Sequence, residues 1–153
     1  MRLELVHPFV EASYELIRGY WPDGLHKSDI SLLDRETPIE GLSIIVGIKG
    51  HPGDKIIVNM GDPTGLAIAG RLMEEKLAAW DDVSRSALGE FANMLCGLSV
   101  TKMEREGLLF DIEPPQIQFH PAGGGVRLEQ ESLYLLLETA VGQIRIIVSM
   151  DTP

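Results

Sequence analysis

The spacing of apolar residues near the start of the chain predicts an amphipathic helix over residues 8–21. Bulky apolar side chains recur there at steps of three and four residues, so most of them fall on one stripe of a helix. Pro8 suits the first turn, where its missing N–H breaks no helical hydrogen bond, and the cluster at residues 22–24 ends the pattern. The chain therefore opens with a helix that packs one face on a core.

Short runs rich in isoleucine and valine follow this helix and predict β-strands. Glycine, proline and aspartate at residues 50–54 are turn formers, so the strands on either side of them are expected to pair as a hairpin. Further strands are predicted in the last third of the chain. The predicted strands span residues 30–33, 41–49, 55–60, 116–120, 132–138 and 143–149.

Two helices are predicted between the two groups of strands. Thr64 is the expected cap of the first, which runs to about Met73. Asp81 and Asp82 open the second and longer helix, because acidic side chains are favourable at a helix N-terminus. This helix extends to about Glu106, and the glycine that follows suits its end.

The order of these elements predicts an α+β fold, with a mixed, largely antiparallel sheet packed against about three helices. The length of 153 residues fits one domain over residues 1–153. An apolar fraction of 44% and a charged fraction of 24% are typical of globular proteins. No proline- or glycine-rich stretch is long enough to suggest a linker between two domains.

The charge of the chain limits its partners. There are 13 lysine and arginine residues against 23 aspartate and glutamate residues, which gives a formal net charge of −10. No basic cluster is visible, so we expect no binding to nucleic acid or to anionic membranes. No stretch approaches the roughly 18 consecutive apolar residues of a membrane span, and no signal-peptide pattern opens the chain. The sequence therefore predicts a cytoplasmic protein.

Several residues that could carry chemistry have simpler interpretations. Cys96 is the single cysteine, and it lies in an apolar helical run, so we expect it to pack as a small hydrophobic residue. Gly123–Gly125 could form a phosphate-binding loop, but no helix and no Lys-Ser/Thr pair follows it, which favours a flexible connection. The histidines are scattered, and no HExxH or CxxC spacing marks a metal site. We therefore expect no cofactor or metal bound by this chain.

Four residues of the longer helix share a face that lies away from its apolar stripe. Ser86, Glu90, Asn93 and Gly97 follow one another at steps of three or four, so a carboxylate and a carboxamide stand side by side and face water. Gly97 leaves open space beside Asn93, although glycine within a helix costs about 1 kcal/mol relative to alanine. A Glu–Asn pair at this spacing also occurs on many solvated helix faces, so the pattern alone leaves both interpretations open.

This segment resembles the signature of the CheC/CheX/FliY phosphatase family. In that signature, Asp or Ser is followed by three residues, Glu, two residues, Asn and a later Pro, and Ser86, Glu90 and Asn93 match it without insertion. The later proline corresponds to Pro115 or Pro114, one or two residues before the position that the family spacing gives. The likeness extends over essentially the whole chain, and a single Glu–Asn motif resembles CheX-like rather than CheC-like chains.

The resemblance implies a phosphatase that hydrolyses the aspartyl phosphate of a CheY-type response regulator in chemotaxis. It implies that Asn93 orients the attacking water, that Glu90 pairs with a lysine of the receiver domain, and that Ser86 and Gly97 border the docking surface. The Mg²⁺ ion would belong to the regulator, and the chain would form a homodimer, which unpaired sheet edges permit. A binding module that docks without hydrolysis and an unrelated α+β domain with a chance motif are the alternatives.

Overall fold

A computed structural model describes residues 6–35, 39–119, 126, 128 and 130–150. The described part of the chain forms three helices and six strands. The helices are α1 (Val6–Tyr20), α2 (Asp62–Met73) and α3 (Asp82–Arg105). The strands are β1 (Leu25–Leu33), β2 (Leu42–Gly47), β3 (Lys55–Met60), β4 (Gln116–Phe119), β5 (Ser132–Thr139) and β6 (Gly142–Ser149).

The strands form one sheet with the order β1-β5-β6-β3-β2-β4. Each neighbouring pair is antiparallel, so the described sheet is antiparallel throughout rather than mixed. The predicted hairpin is confirmed, because Leu42 pairs with Met60 and Gly47 pairs with Lys55. Strands β1 and β4 lie at the two edges, and β4 is therefore held on one side by β2. The predicted α+β class is confirmed.

Helix α3 occupies the centre of the helical layer that covers one face of the sheet. Helices α1 and α2 both pack against α3, which also contacts β2 and β4. Leu88, Phe91 and Leu95 of α3 are buried, and they meet Phe9 and Ile17 of α1 in the main core. Burial of this apolar stripe fixes the rotation of α3 about its axis, because exposing it would lose hydrophobic stabilisation. The opposite, polar side of α3 therefore faces outward.

The expected cap of α2 is wrong. The helix begins at Asp62 with Pro63 in its first turn, and Gly61 precedes it in an extended conformation. Proline suits the first helical positions because it lacks the N–H that would be unpaired there. Thr64 is instead buried within the helix, and its hydroxyl lies against Gly142, where no side chain would fit.

Strand β1 is longer than the sequence predicts, because it runs from Leu25 to Leu33 beside β5. Polar residues in its first half hide the strand pattern, and pairing with β5 supplies the order that the local sequence does not. The Gly123–Gly125 loop lies outside the described residues. Among the described helices, none has the length and hydrophobicity of a membrane-spanning segment.

Candidate functional site

Asp81 fixes the start of α3 and therefore the register of the residues that follow. Its carboxylate accepts a hydrogen bond from the Ser84 backbone N–H at 2.8 Å, and the Ser84 hydroxyl oxygen accepts one from the Asp81 N–H at 2.8 Å. This reciprocal arrangement is a capping box, which satisfies two donors that the helix leaves unpaired. The hydrogen bonds from the Ser84 backbone and side chain lower the pKa of Asp81. The predicted opening of this helix is confirmed.

The polar residues singled out by their spacing lie on the outward side of α3. Ser86, Glu90 and Asn93 line one groove with a volume of about 400 Å³. Ser86 and Glu90 are exposed, whereas Asn93 is half-buried. Gly97 lies one turn beyond Asn93, and a Cβ placed there would meet nothing within 4 Å beyond the local helix backbone. This side of α3 offers a carboxylate, an amide and open space to an approaching molecule.

The second wall of the groove comes from β4 and the residue that precedes it. Pro115, Ile117 and Phe119 line this wall. This wall packs directly against α3 at Gly89, where a Cβ would be in ordinary van der Waals contact, 3.6 Å from Pro115 Cγ and 4.0 Å from Ile117 Cδ1. Pro115 is thus the proline beside the Glu–Asn pair, whereas Pro114 lines a separate depression near the β2–β3 turn.

A cationic and aromatic cluster also lies at this groove, and the sequence pattern does not predict it. The Arg85 guanidinium carbon lies 4.9 Å from the centre of the Phe119 ring. The Trp80 ring meets the same phenylalanine edge-on, with 5.5 Å between the ring centres. Arg85 and Phe119 are distant in sequence and meet only because β4 lies beside the start of α3. No short-range motif in the sequence signals this contact.

Helix α1 supports the other end of α3 through an ion-pair cluster. The Lys102 side chain is 12% exposed, and its Nζ lies 2.7 Å from Glu15 Oε1 and 3.4 Å from Glu11 Oε2. The hydrogen bond to Glu15, followed by the charges of both glutamates, raises the pKa of Lys102. The cluster joins α1 to the side of α3 near its C-terminus, which helps to keep the Glu–Asn side of α3 outward.

Cys96 lies on the core side of α3, away from the groove. It is completely buried, and this burial raises the pKa of its thiol to about 12. A buried thiol that stays protonated is chemically inert, so the prediction that Cys96 packs as a small hydrophobic residue is confirmed. Within the described ranges, no three His, Cys, Asp or Glu side chains gather in a way that could hold a metal ion.

Residues 42–130 match the family model described as "Chemotaxis phosphatase CheX". The match spans more than half of the chain and includes the Glu–Asn helix as well as both walls of the groove. The chain belongs to the CheX family. The family resemblance predicted from the spacing of Ser86, Glu90 and Asn93 is confirmed, whereas the match by itself assigns no role to these residues.

Individual relatives agree with this family membership. The "CheY-P phosphatase CheX" of Thermotoga maritima is 29% identical over 121 residues, which is 76% of either chain. A chain of the CheX-CheY-BeF3-Mg complex from Borrelia burgdorferi matches with a TM-score of 0.76 at 23% identity, over 97% of this chain and 98% of that one. CheX from Desulfovibrio desulfuricans matches with a TM-score of 0.74 at 17% identity, over 95% and 97%. The predicted CheX-like fold is confirmed.

Proposed function

We propose that this chain is a phosphatase that hydrolyses the aspartyl phosphate of a CheY-type response regulator in chemotaxis signalling. Membership of the CheX family and the likeness to a CheY-P phosphatase support this proposal. The observation that carries it is the Glu90–Asn93 pair in an open groove on the outward side of α3. Such a groove leaves room for a docking protein to bring its own phosphorylated aspartate to these side chains.

Asn93 is the proposed catalytic residue, and its role is to orient the attacking water. A carboxamide both donates and accepts hydrogen bonds without taking up charge, so it can hold a water in line with the phosphorus. A glutamine has the comparable water-positioning role in small GTPases. Half-burial of Asn93 restricts the side chain before docking, which favours a defined approach of the water. The Mg²⁺ ion at the phosphorylated aspartate is supplied by the regulator.

Glu90 is proposed to fix the register of docking by pairing with a lysine of the receiver domain. It is exposed on the same side of α3 as Asn93, so a cation bound to Glu90 would bring the regulator's active site beside the amide. An exposed ion pair contributes only about 0–1 kcal/mol, and it gains importance as docking removes water. Ser86, one turn before Glu90, is proposed to contact the regulator. The docked regulator is proposed to occupy the open space beside Gly97.

The test follows the decay of a phosphorylated CheY-type regulator from the same genome, with and without this chain, and measures binding in parallel. Faster decay supports the phosphatase. Binding without faster decay would support the alternative, a module that docks on a receiver domain without catalysis. Glu90→Arg should chiefly weaken binding. Glu104→Arg is the matched control, because Glu104 is exposed on α3 about 21 Å further along the helix axis.

We also propose that the chain forms a homodimer through the edge of β1. In the described sheet, β1 has one neighbouring strand, and its Ile30 and Leu32 side chains are 47% and 54% exposed. An exposed edge with apolar side chains is a template for pairing with another chain. Analytical ultracentrifugation should give a dimer, and a variant with both residues changed to lysine should be monomeric. A monomeric parent protein would refute this proposal.

The proposed partner also implies a cytoplasmic location. We further propose that residues 1–153 form a single CheX-like domain. One sheet and one helical layer share the main core, which supports cooperative folding of the described residues as a unit. A single urea-unfolding transition, observed identically by circular dichroism and tryptophan fluorescence, is the expected result. Two separate transitions would contradict the single domain.

A further inference from the structure

The groove that holds Glu90 and Asn93 continues toward the N-terminal end of α3, where Arg85 and Phe119 line it. The Arg85 guanidinium carbon lies 4.9 Å from the centre of the Phe119 ring. Arg85 is exposed, and Phe119 keeps 36% of its surface exposed despite this contact. A large apolar ring and a cation are thus presented together at the surface, in the same groove as Glu90 and Asn93.

Trp80 holds the Phe119 ring from its edge, with 5.5 Å between the ring centres. Trp80 is itself held against α2, because a Cβ at Gly65 would lie only 3.0 Å from Trp80 Cζ2. Phe119 is the last residue of the edge strand β4, and this contact supplements its pairing with β2. The ring is therefore a fixed platform, and stacking on it limits the conformations that the long Arg85 side chain can adopt.

Arg85 is a cation without an ion pair among the described residues, although Asp82 lines the same groove one turn earlier. The aromatic contact positions the guanidinium from one side and leaves its edge donors available for a planar acceptor. In a chain with a formal net charge of −10, such a cation is suited to an acidic group on another molecule.

We propose that Arg85, held in place by Phe119, is a specificity-determining residue that binds a carboxylate of the docked response regulator. This inference rests on the proposed phosphatase function, because it assumes that Asn93 reaches the phosphorylated aspartate. Arg85 precedes Asn93 by eight residues, so the two are separated by about 12 Å along the helix axis. The acidic side chain is therefore expected on the part of the regulator's surface that faces the N-terminal end of α3, away from its phosphorylated aspartate.

This contact would select among regulators rather than speed the reaction. An arginine and a carboxylate can form two parallel hydrogen bonds, which require a defined geometry as well as opposite charge. A regulator with a neutral or basic residue opposite Arg85 would lose the contact. A regulator with its acidic residue elsewhere on the docking surface would be repelled by the negative charge of this chain. Arg85 is held on the Phe119 ring, about two turns of α3 before Asn93, so its effect is expected in binding.

The test measures three quantities for each variant. The first is the Kd for a CheY-type regulator from the same genome carrying beryllofluoride and Mg²⁺. The other two are the KM and kcat for dephosphorylation of the same regulator in its phosphorylated form. Arg85→Gln should raise Kd and KM roughly tenfold and leave kcat within about twofold. Phe119→Leu should raise Kd less, and adding it to Arg85→Gln should have little further effect, since both act through one contact.

Arg18→Gln is the matched control for loss of a stacked cation. The Arg18 guanidinium carbon lies 5.3 Å from the centre of the Tyr14 ring on α1, and Arg18 does not line the groove. Kd and KM should therefore stay at their parent values. The strongest support would be charge exchange, in which Arg85→Glu loses affinity and a regulator with the acidic residue changed to lysine restores it.

The outcomes separate this inference from the phosphatase proposal. Unchanged Kd and KM in a folded Arg85→Gln variant would overturn the inference and leave the phosphatase proposal standing. A loss of kcat with unchanged KM would also overturn it, because the role would then be in the reaction. If the parent chain binds the regulator without accelerating decay, Kd alone decides the role of Arg85 and the phosphatase proposal fails. If no regulator binds, both are rejected.

Discussion

Replacing Gly97 with alanine should stabilise the fold, and the size of the effect follows from the structure. Glycine within a helix is about 1 kcal/mol less favourable than alanine. A Cβ at Gly97 meets nothing within 4 Å beyond the local helix backbone, so no clash opposes the gain. The free energy of unfolding should rise by about 1 kcal/mol, which corresponds to roughly 2–4 °C in Tm for a chain of this size.

The same open space predicts the opposite effect on docking. If the regulator occupies the space beside Asn93, a larger side chain at Gly97 must obstruct it. Leucine has nearly the helix propensity of alanine, so Gly97→Leu should keep most of the stability gain. We expect Gly97→Leu to raise the Kd for the beryllofluoride-bound regulator roughly tenfold, equivalent to about 1.4 kcal/mol. Stability and affinity would then change in opposite directions.

Urea unfolding followed by circular dichroism measures the stability, and titration with the regulator measures the affinity. Gly19→Leu is the matched control, because a Cβ at Gly19 also meets nothing within 4 Å and Gly19 lies on α1, outside the groove. Its affinity should equal that of the parent. A less stable Gly97→Ala variant would refute the open environment of Gly97, and parent-like binding by Gly97→Leu would remove Gly97 from the docking surface.

Three further predictions concern groups outside the groove. Because hydrogen bonds from Ser84 lower the pKa of Asp81 from 3.8, ionised Asp81 contributes stability above pH 3.8 that is lost as the pH falls through its folded-state pKa. Asp81→Asn should therefore flatten the dependence of the urea midpoint on pH in that acidic range, and an unchanged dependence would contradict the capping role. Cys96, whose pKa is raised to about 12 by burial, should react with Ellman's reagent only after unfolding, so rapid labelling of the folded chain would be inconsistent with its position. Asn59 is 1% exposed, donates hydrogen bonds to two backbone carbonyls and accepts one from Arg145. Asn59→Leu should therefore lower the free energy of unfolding, measured in urea, by about 3 kcal/mol. A decrease below about 1 kcal/mol would show that this hydrogen-bond network is not needed for stability.

The elements that the sequence predicted well are those determined by neighbours in the chain. The β2–β3 hairpin has turn residues between two apolar runs, and Gly50 and Gly53 adopt the positive φ angles that its turn requires. The start of α3 is similarly local, because Asp81 and Ser84 cap it within one turn. The spacing of Glu90 and Asn93 is also local, because the two residues lie within one turn of α3, and it indicates the family.

The features that the sequence did not predict depend on contacts between distant segments. The Arg85–Phe119 contact joins α3 to β4, and neither residue belongs to the Glu–Asn motif. Strand β1 begins earlier than predicted because β5 pairs with its polar half. Thr64 has the local character of a helix cap, but the space beside Gly142 buries its side chain inside α2. For β1 and Thr64, packing outweighs a local preference that is worth about 1 kcal/mol.

The most direct test of the account uses the Asn93→Ala variant at a concentration that saturates the phosphorylated regulator. The decay rate of the phosphorylated regulator and the Kd of the variant are measured together. Asn93 is proposed to hold the attacking water, so its loss should remove catalysis while Glu90 and Arg85 still bind the regulator. The account predicts a Kd within roughly threefold of the parent value and a decay rate that falls to the regulator's own. Decay as fast as with the parent chain, at full occupancy by a folded Asn93→Ala variant, would contradict it.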